Sequence, residues 1–205
     1  MSDSNGSKVR NDVNPNLCGV SGRRDCIGLI ETSAIASGID TADQMLKAAQ
    51  VELLFSSPVQ PGKHVTLLCG SVEDVEAALI LGRERAAGDV VDLLHLPQVH
   101  DQVLAGIERR GGVIQGQLDA VGIVEVSTVA AALRTADLAL KTATVDLLDL
   151  RIANGLGGKS FFVVTGEVSD VRSAVMAASR EAEATGRLLR QVVIPQPHPE
   201  LSRHL

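Results

Sequence analysis

Short apolar runs alternate along the chain with stretches of helical period. Residues 26–31 are a compact apolar run between polar neighbours, which is typical of a buried strand. Apolar positions then recur at the helical spacing over 35–49, and Ser33 stands where an N-cap is expected. Residues 51–55 and 64–68 predict two further strands.

The pattern continues through the rest of the first half of the chain, which is called the first copy below because the series recurs. Pro58–Gly62 predicts a loop between the second and third strands, because proline and glycine interrupt regular structure. Ser71 followed by Asp74 predicts the start of a second helix. Residues 90–96 predict a fourth strand, which Pro97 ends.

The same series of elements then occurs a second time. Three short segments of the first copy recur in the second: 27–31 as 121–125, 62–63 as 158–159, and 97–100 as 195–198. The second copy predicts strands over 120–125, 145–152, 160–165 and 188–194, and helices over 127–143 and 169–185. The order β-α-β-β-α-β in each copy is that of ferredoxin-like domains.

The expected fold class is therefore α/β (α+β), with two tandem ferredoxin-like domains. Each has the order β-α-β-β-α-β and a short C-terminal helix or tail. We expect a disordered tail over 1–25, a first domain over 26–110, a linker over 111–119 and a second domain over 120–205.

Composition excludes several classes of function. The 205 residues include three aromatics, all Phe, and the formal net charge is −6. Binders of nucleic acid usually present basic surfaces and aromatic stacking platforms, so nucleic acid is not an expected partner. No apolar run is long enough to span a membrane, and the first residues lack a secretory signal, which predicts a cytoplasmic protein. Three cysteines without C-x-x-C spacing predict reduced thiols.

The glycine-rich segment 154–159 has two interpretations. A phosphate cradle of backbone N–H groups with Lys159 is one of them. A P-loop, however, leads directly into a helix, whereas this segment leads into the apolar strand 160–165. The other interpretation is a close backbone approach to another chain or to an opening.

Other polar residues also allow two interpretations. The five histidines lack the spacing of metal ligands, so no metal site is expected. Glu31 and Glu125 end equivalent strands, either as a carboxylate pair or as repeated hydrogen-bond anchors. Lys47 follows Asp43 at i, i+4, which indicates an intrahelical ion pair or a lysine at an oligomer edge.

The repeated motifs closely resemble the bacterial microcompartment (BMC) shell domain. The first copy carries Ile-Gly-Leu-Ile-Glu-Thr (27–32), Thr-Ala-Asp-Gln-Met-Leu-Lys (41–47), Pro-Gly-Lys (61–63) and Gly-Ser-Val-Glu-Asp-Val (70–75). The second copy carries Thr-Ala-Asp-Leu-Ala-Leu-Lys (135–141) and Gly-Glu-Val-Ser-Asp-Val (166–171). The resemblance covers about 26–100 and 120–198, and is greatest to the tandem-domain, trimer-forming, non-permuted class.

This resemblance implies a homotrimeric, pseudohexameric tile in the shell of a bacterial microcompartment. It implies a pore lined by Ser57, Pro58, Val59, Gln60, Asn154, Gly155, Leu156 and Gly157. It implies tile-edge contacts at Lys47, Lys141, Gln98, His100, Gln196 and His198. Gln98 and Gln196 replace an arginine that family members often carry, so edge contacts that need that arginine are not expected. Lys63 and Lys159 would add positive potential near the pore.

The chain is similar in particular to propanediol-type shell proteins that hold an iron–sulfur cluster at the pore. Gln60 stands where those relatives have the ligand cysteine. Because such clusters need thiolate ligands, we expect no cluster and no other cofactor.

Two functions follow from the sequence. The first is a non-catalytic shell protein that passes small polar metabolites, with itself, other shell proteins and encapsulated enzymes as partners. The alternative is a ferredoxin-like trimeric regulator that binds a small molecule or nucleotide at Gly155–Lys159. The position of that loop, on the tile axis or in a cleft between subunits, discriminates between them.

Overall fold

The computed structural model describes residues 26–108, 118–153 and 155–202. The tail predicted over 1–25 and most of the linker predicted over 111–119 lie outside these ranges. The first copy comprises β1 (Cys26–Thr32), α1 (Ile35–Ala48), β2 (Glu52–Val59), β3 (Lys63–Gly70), α2 (Val72–Ala86), β4 (Val90–Pro97) and α3 (Asp101–Ile107). The second comprises β5 (Ala120–Val126), α4 (Val129–Thr142), β6 (Val145–Ile152), β7 (Ser160–Gly166), α5 (Val168–Ala184), β8 (Leu188–Pro195) and α6 (Pro199–Ser202).

Each copy folds into a four-stranded antiparallel sheet with two long helices on one face. The strand orders are β2-β3-β1-β4 and β6-β7-β5-β8, which confirms the ferredoxin-like topology. In the first domain Ile30, Met45, Leu68, Val75 and Leu79 form the core between sheet and helices. Their neighbours Leu29 of β1 and Leu67 of β3 lie on the opposite face of the sheet, as the period of two in strands requires.

Two local predictions differ from the structure. β2 extends to Val59 and β3 begins at Lys63, so the loop expected over 58–62 is only a tight turn. Helix α1 begins at Ile35, and its N-cap residue, Ala34, makes no side-chain cap. The predicted cap by Ser33 is therefore wrong, because its Oγ instead donates to Asp89 Oδ1 at 3.2 Å.

The predicted cap of the second helix is confirmed. Ser71 Oγ accepts a hydrogen bond from Asp74 N at 3.1 Å and donates to Asp74 Oδ2 at 2.7 Å. One backbone donor that has no intrahelical partner is thereby satisfied.

Helix α4 of the second domain packs against β1 and β4 of the first domain, on the sheet face opposite α1 and α2. Leu29, Val65 and Leu94 are buried on this face, in one continuous core with Val129 and Leu133 of α4. The two domains thus share a core, and we call this contact the domain junction.

The two copies fill their cores with different residues at equivalent positions. Where the first domain has Thr66 opposite Ile30, the second has Phe162 opposite Val124. Where the first domain has Met45, the second has Ala139. The larger Phe162 and the smaller Ala139 offset each other in volume, as dense packing requires.

The cysteines depart from the expectation of reduced thiols. Cys26 is a buried thiol in β1, but Cys69 of β3 is disulfide-bonded. The other half of that bond lies outside the described residues. Within the described ranges, no helix combines the length and apolar character needed to cross a membrane.

Candidate functional site

The tip of the β2–β3 hairpin is a tight turn around Pro61. The Gln60–Pro61 peptide bond is cis, and Gly62 N donates to Val59 O at 2.9 Å. Gly62 has φ 123°, a conformation that an L residue rarely adopts. The turn presents Pro58 and Gln60 to solvent, leaves Ser57 half-buried and turns Val59 into the core.

The tip of the β6–β7 hairpin is longer and rich in glycine. Gly155 and Gly157 are exposed, Leu156 is half-buried, and Lys159 N donates to Leu156 O at 3.2 Å. Asn154, also predicted to line the pore, lies outside the described residues. The segment leads into β7 and not into a helix, so it lacks the helix N-terminus of a P-loop.

The two hairpin tips lie against each other. A Cβ at Gly158 would lie 2.8 Å from Pro61 Cδ and 2.9 Å from Gln60 O. Gly158 also has φ 87°, so both its backbone conformation and the lack of space favour glycine. The predicted pore segments of the two domains are therefore neighbours within one chain.

The lysines next to the tips are paired with carboxylates. Lys63 Nζ lies 3.5 Å from Glu31 Oε2, and Lys159 Nζ lies 3.0 Å from Glu125 Oε1. Each pair neutralises its own charge, so these lysines contribute less positive potential near the tips than the sequence suggested.

Glu31 is a hydrogen-bond anchor at the domain junction. Its side chain is fully buried, and Oε1 accepts a hydrogen bond from Ala130 N, in the first turn of α4, at 2.9 Å. Oε2 accepts no hydrogen bond from any described residue. Burial raises the pKa of the Glu31 carboxyl, although the Ala130 N–H and the Lys63 amine oppose that shift.

We expect a pH-dependent contribution of Glu31 to stability. Because its pKa is raised on folding from an ordinary value of 4.5, the folded chain binds more protons than the unfolded one above that pH. The free energy of unfolding should therefore fall as the pH rises from about 4.5 through the raised value, and Glu31→Gln should remove this component. Urea unfolding of both proteins across this pH range measures it; a difference between them that is constant with pH would contradict it.

A charged cluster lies beside Glu31 at the junction. Asp92 Oδ2 of β4 accepts from Thr128 Oγ1 at 2.6 Å and lies 3.2 Å from Arg187 Nε. Arg187 Nη2 donates to Val91 O at 2.7 Å, and Arg134 Nη2 of α4 donates to Leu93 O at 2.8 Å. Two arginines of the second domain thus bind the edge strand of the first.

The predicted edge lysines are exposed and form the expected intrahelical ion pairs. Lys47 pairs with Asp43, and Lys141 pairs with Asp137. Asp137 differs from Asp43 because it is buried and also accepts from His100 N at 2.8 Å, across the domain junction. Lys141 therefore lies next to the junction, whereas Lys47 lies on the free surface of the described chain.

The other predicted edge residues have repeated structural roles. Gln98 and Gln196 have φ values of 52° and 46°, the left-handed turn that follows β4 and β8. His100 Nδ1 accepts from Gln102 N at 3.3 Å, and His198 Nδ1 accepts from Glu200 N at 3.3 Å. Both histidines thus begin the short helices that follow.

Sequence reasoning missed the junction residues Asp92, Arg134 and Arg187. For Asp92 and Arg187 the signal is a difference between the copies, since Asp92 corresponds to Arg190 and Arg187 corresponds to Asp89. Positions of opposite charge do not stand out as matches between the copies.

The residues at the hairpin tips do not fit an iron–sulfur cluster. Gln60 offers an amide in place of a thiolate, and Cys26 and Cys69 lie at the far end of the β1–β3 pair from the tip. Within the described ranges no three His, Cys, Asp or Glu side chains are grouped as metal ligands.

Comparison with known proteins places these features in a family. The BMC domain matches residues 26–99 and 120–197. The chain is 42% identical to the bacterial microcompartment shell protein PduT of Citrobacter freundii, over 87% of this chain and 96% of that protein. It is 27% identical to the carboxysome assembly protein CcmO of a Synechocystis strain, over 83% of this chain and 61% of that protein.

A solved structure agrees in fold and sequence. A microcompartment protein from Desulfitobacterium hafniense superposes with a TM-score of 0.76 at 45% identity. The match covers 88% of this chain and 99% of that one.

Proposed function

The chain belongs to the BMC-domain family and is a shell protein of a bacterial microcompartment, and we propose that three copies close into a flat tile of six domains. The domain junction carries this proposal. It joins α4 of the second domain to the sheet of the first domain. The equivalent surfaces, helix α1 of the first domain and the sheet of the second domain, are not in contact with each other within the described part of the chain.

In the first domain, helix α1 is the counterpart of α4, but among the described residues it covers no neighbouring sheet. Leu133 of α4 is 0% exposed at the junction, whereas Ile39, its counterpart two residues before the repeated Thr-Ala-Asp, is 56% exposed. Ile35 and Leu46, which correspond to the buried Val129 and Leu140, are exposed as well. Helix α1 therefore presents the apolar surface that α4 buries.

In the second domain, the sheet surface that corresponds to the one beneath α4 is left uncovered by the residues that the structure describes. We call the covered sheet surface of a junction its receiving side, and the domain that contributes the helix its inserting side. Leu94 of β4 is 1% exposed beneath α4, whereas Val192, its counterpart on β8, is 43% exposed. The short final helices differ in the same way, since Val103 of α3 is buried and Leu201 of α6 is exposed. This surface therefore accepts α1 of another copy.

Such a head-to-tail contact repeats around a ring until the ring closes. Burial of apolar side chains at each new junction supplies the driving force. With two domains per chain, three chains give the six-domain tile that the family resemblance implies. Light scattering should therefore give three times the 21.5 kDa of one chain, and a monomer at high concentration would contradict the proposal.

The hairpin tips would surround the axis of this tile. Their contact at Gly158 makes them neighbours, and Ser57, Pro58, Gln60, Gly155 and Gly157 offer hydroxyl, amide and backbone groups to the opening. Such a pore suits small polar metabolites. The role is non-catalytic, with other shell proteins and encapsulated enzymes as partners.

Lys47 would join tiles into sheets at their edges. We expect Lys47→Asp to leave trimers intact but to abolish sheets, because its counterpart Lys141 remains 40% exposed although the junction within the chain is formed. Electron microscopy of concentrated protein measures the sheets. Asp43→Asn is the matched control, since it removes the same intrahelical ion pair but keeps the lysine and an oxygen that can accept at the junction between chains, as Asp137 accepts from His100 N. If Lys47→Asp forms sheets like those of the wild type, Lys47 serves only in the intrahelical ion pair with Asp43 and not in contacts between tiles.

A further inference from the structure

The junction within the chain has a defined electrostatic polarity. Asp92, on the receiving strand β4 of the first domain, faces Arg187, on the inserting side of the second domain, at 3.2 Å. Thr128 at the N-cap of α4 donates to the same carboxylate. The receiving side is thus acidic and the inserting side basic.

The repeated architecture locates the counterparts of both residues. Asp92 lies opposite Glu31 in the ladder, as Arg190 lies opposite Glu125. Ser33 N donates to Asp89 O at 2.8 Å, as Ser127 N donates to Arg187 O at 3.0 Å. Arg190 therefore takes the position of Asp92, and Asp89 takes the position of Arg187.

Both counterparts are accessible in the single chain. Arg190 is exposed on β8, and Asp89 is half-buried and accepts a hydrogen bond from the Ser33 hydroxyl. The proposed junction between chains therefore has a basic receiving side and an acidic inserting side, the reverse of the junction within the chain.

We infer that Arg190 of one chain pairs with Asp89 of a second copy, and that the two opposite polarities force first and second domains to alternate around the ring. Contact between two first domains would place Asp92 against Asp89. Contact between two second domains would place Arg190 against Arg187. Only the alternating order pairs opposite charges at all six junctions, because like charges in contact strongly disfavour association.

This inference rests on the proposed trimer and is tested by exchanging the charges. Arg190→Asp and Asp89→Arg each introduce the residue that the other domain carries at that position, so both are compatible with the fold. We expect each single reversal to raise the dissociation constant of the trimer by at least about tenfold per junction. The double variant should return it to within about threefold of the wild type, since opposite charges face each other again.

Arg172→Asp is the matched control. Arg172 is exposed on α5, and its counterpart Glu76 on α2 stays exposed although the junction within the chain is formed. Dilution series monitored by light scattering should give this variant the dissociation constant of the wild type.

The outcomes separate the two proposals. A trimeric wild type whose dissociation is unchanged by either reversal overturns the pairing but leaves the trimer. A double variant no tighter than the single ones also overturns the pairing. A monomeric wild type overturns the proposed trimer itself, and the pairing with it.

Discussion

Ile39→Arg is expected to convert the trimer into monomers without unfolding the chain. Ile39 is 56% exposed in the single chain, so its own domain loses little when it is replaced. At the proposed junction, however, it occupies the position of Leu133, which is fully buried. Losing that burial costs about 2–3 kcal/mol per junction, or about 30- to 150-fold in affinity, and a buried guanidinium adds to this.

Ile80→Arg is the control for this experiment. Ile80 is 55% exposed on α2, and its counterpart Met176 on α5 is 50% exposed, so neither domain uses this position at the junction. The control should remain a trimer in sedimentation velocity. Circular dichroism should show that both variants are folded. Equal molecular masses for the two variants would contradict the assignment of α1 to the junction.

Phe162→Ala is expected to cost about 3–5 kcal/mol of unfolding free energy. Among the residues that the structure describes, Phe162 is the largest fully buried side chain, and it lies on the helix-facing side of β7. Small residues such as Ala139 and Ala178 share this core, and a densely packed core collapses only in part around a missing ring, so a cavity is expected. Since domains are stable by about 5–15 kcal/mol, this loss is a large share of the total.

Urea unfolding measures the effect of Phe162→Ala. Phe162→Leu is the matched control, because it keeps most of the apolar volume and should cost only about 1–1.5 kcal/mol. An unfolding midpoint for Phe162→Ala equal to that of Phe162→Leu would show that the second domain repacks around the missing ring.

The sequence predicted the fold because the copies confirm each other. The helical period over 35–49, the strands and the Ser71 cap agree with the structure, since each depends on local patterns. Ser33 failed as a cap because its hydroxyl has a distant partner, Asp89, that local sequence does not reveal. The extension of β2 to Val59 depends on pairing with β3, which local patterns also do not specify.

The junction was harder to predict because it depends on which surface of each copy meets the other. Leu133 and Ile39 occupy equivalent positions in equivalent helices, yet one is buried and the other exposed. Periodicity identifies both as apolar but cannot tell which is covered. For Glu31 the sequence allowed a carboxylate pair or a hydrogen-bond anchor. The hydrogen bond from Ala130 N, at 2.9 Å, favours the anchor.

The contact between Gly158 and the Gln60–Pro61 turn has a consequence for molecules on the axis of the proposed tile. The two tips differ in length and composition, so they would alternate around the opening. A ring of identical domains has sixfold rotational symmetry, whereas this ring would have threefold symmetry. A solute on the axis would then meet three equivalent Gln60 amides, and an ordered complex there would match a ligand with threefold symmetry.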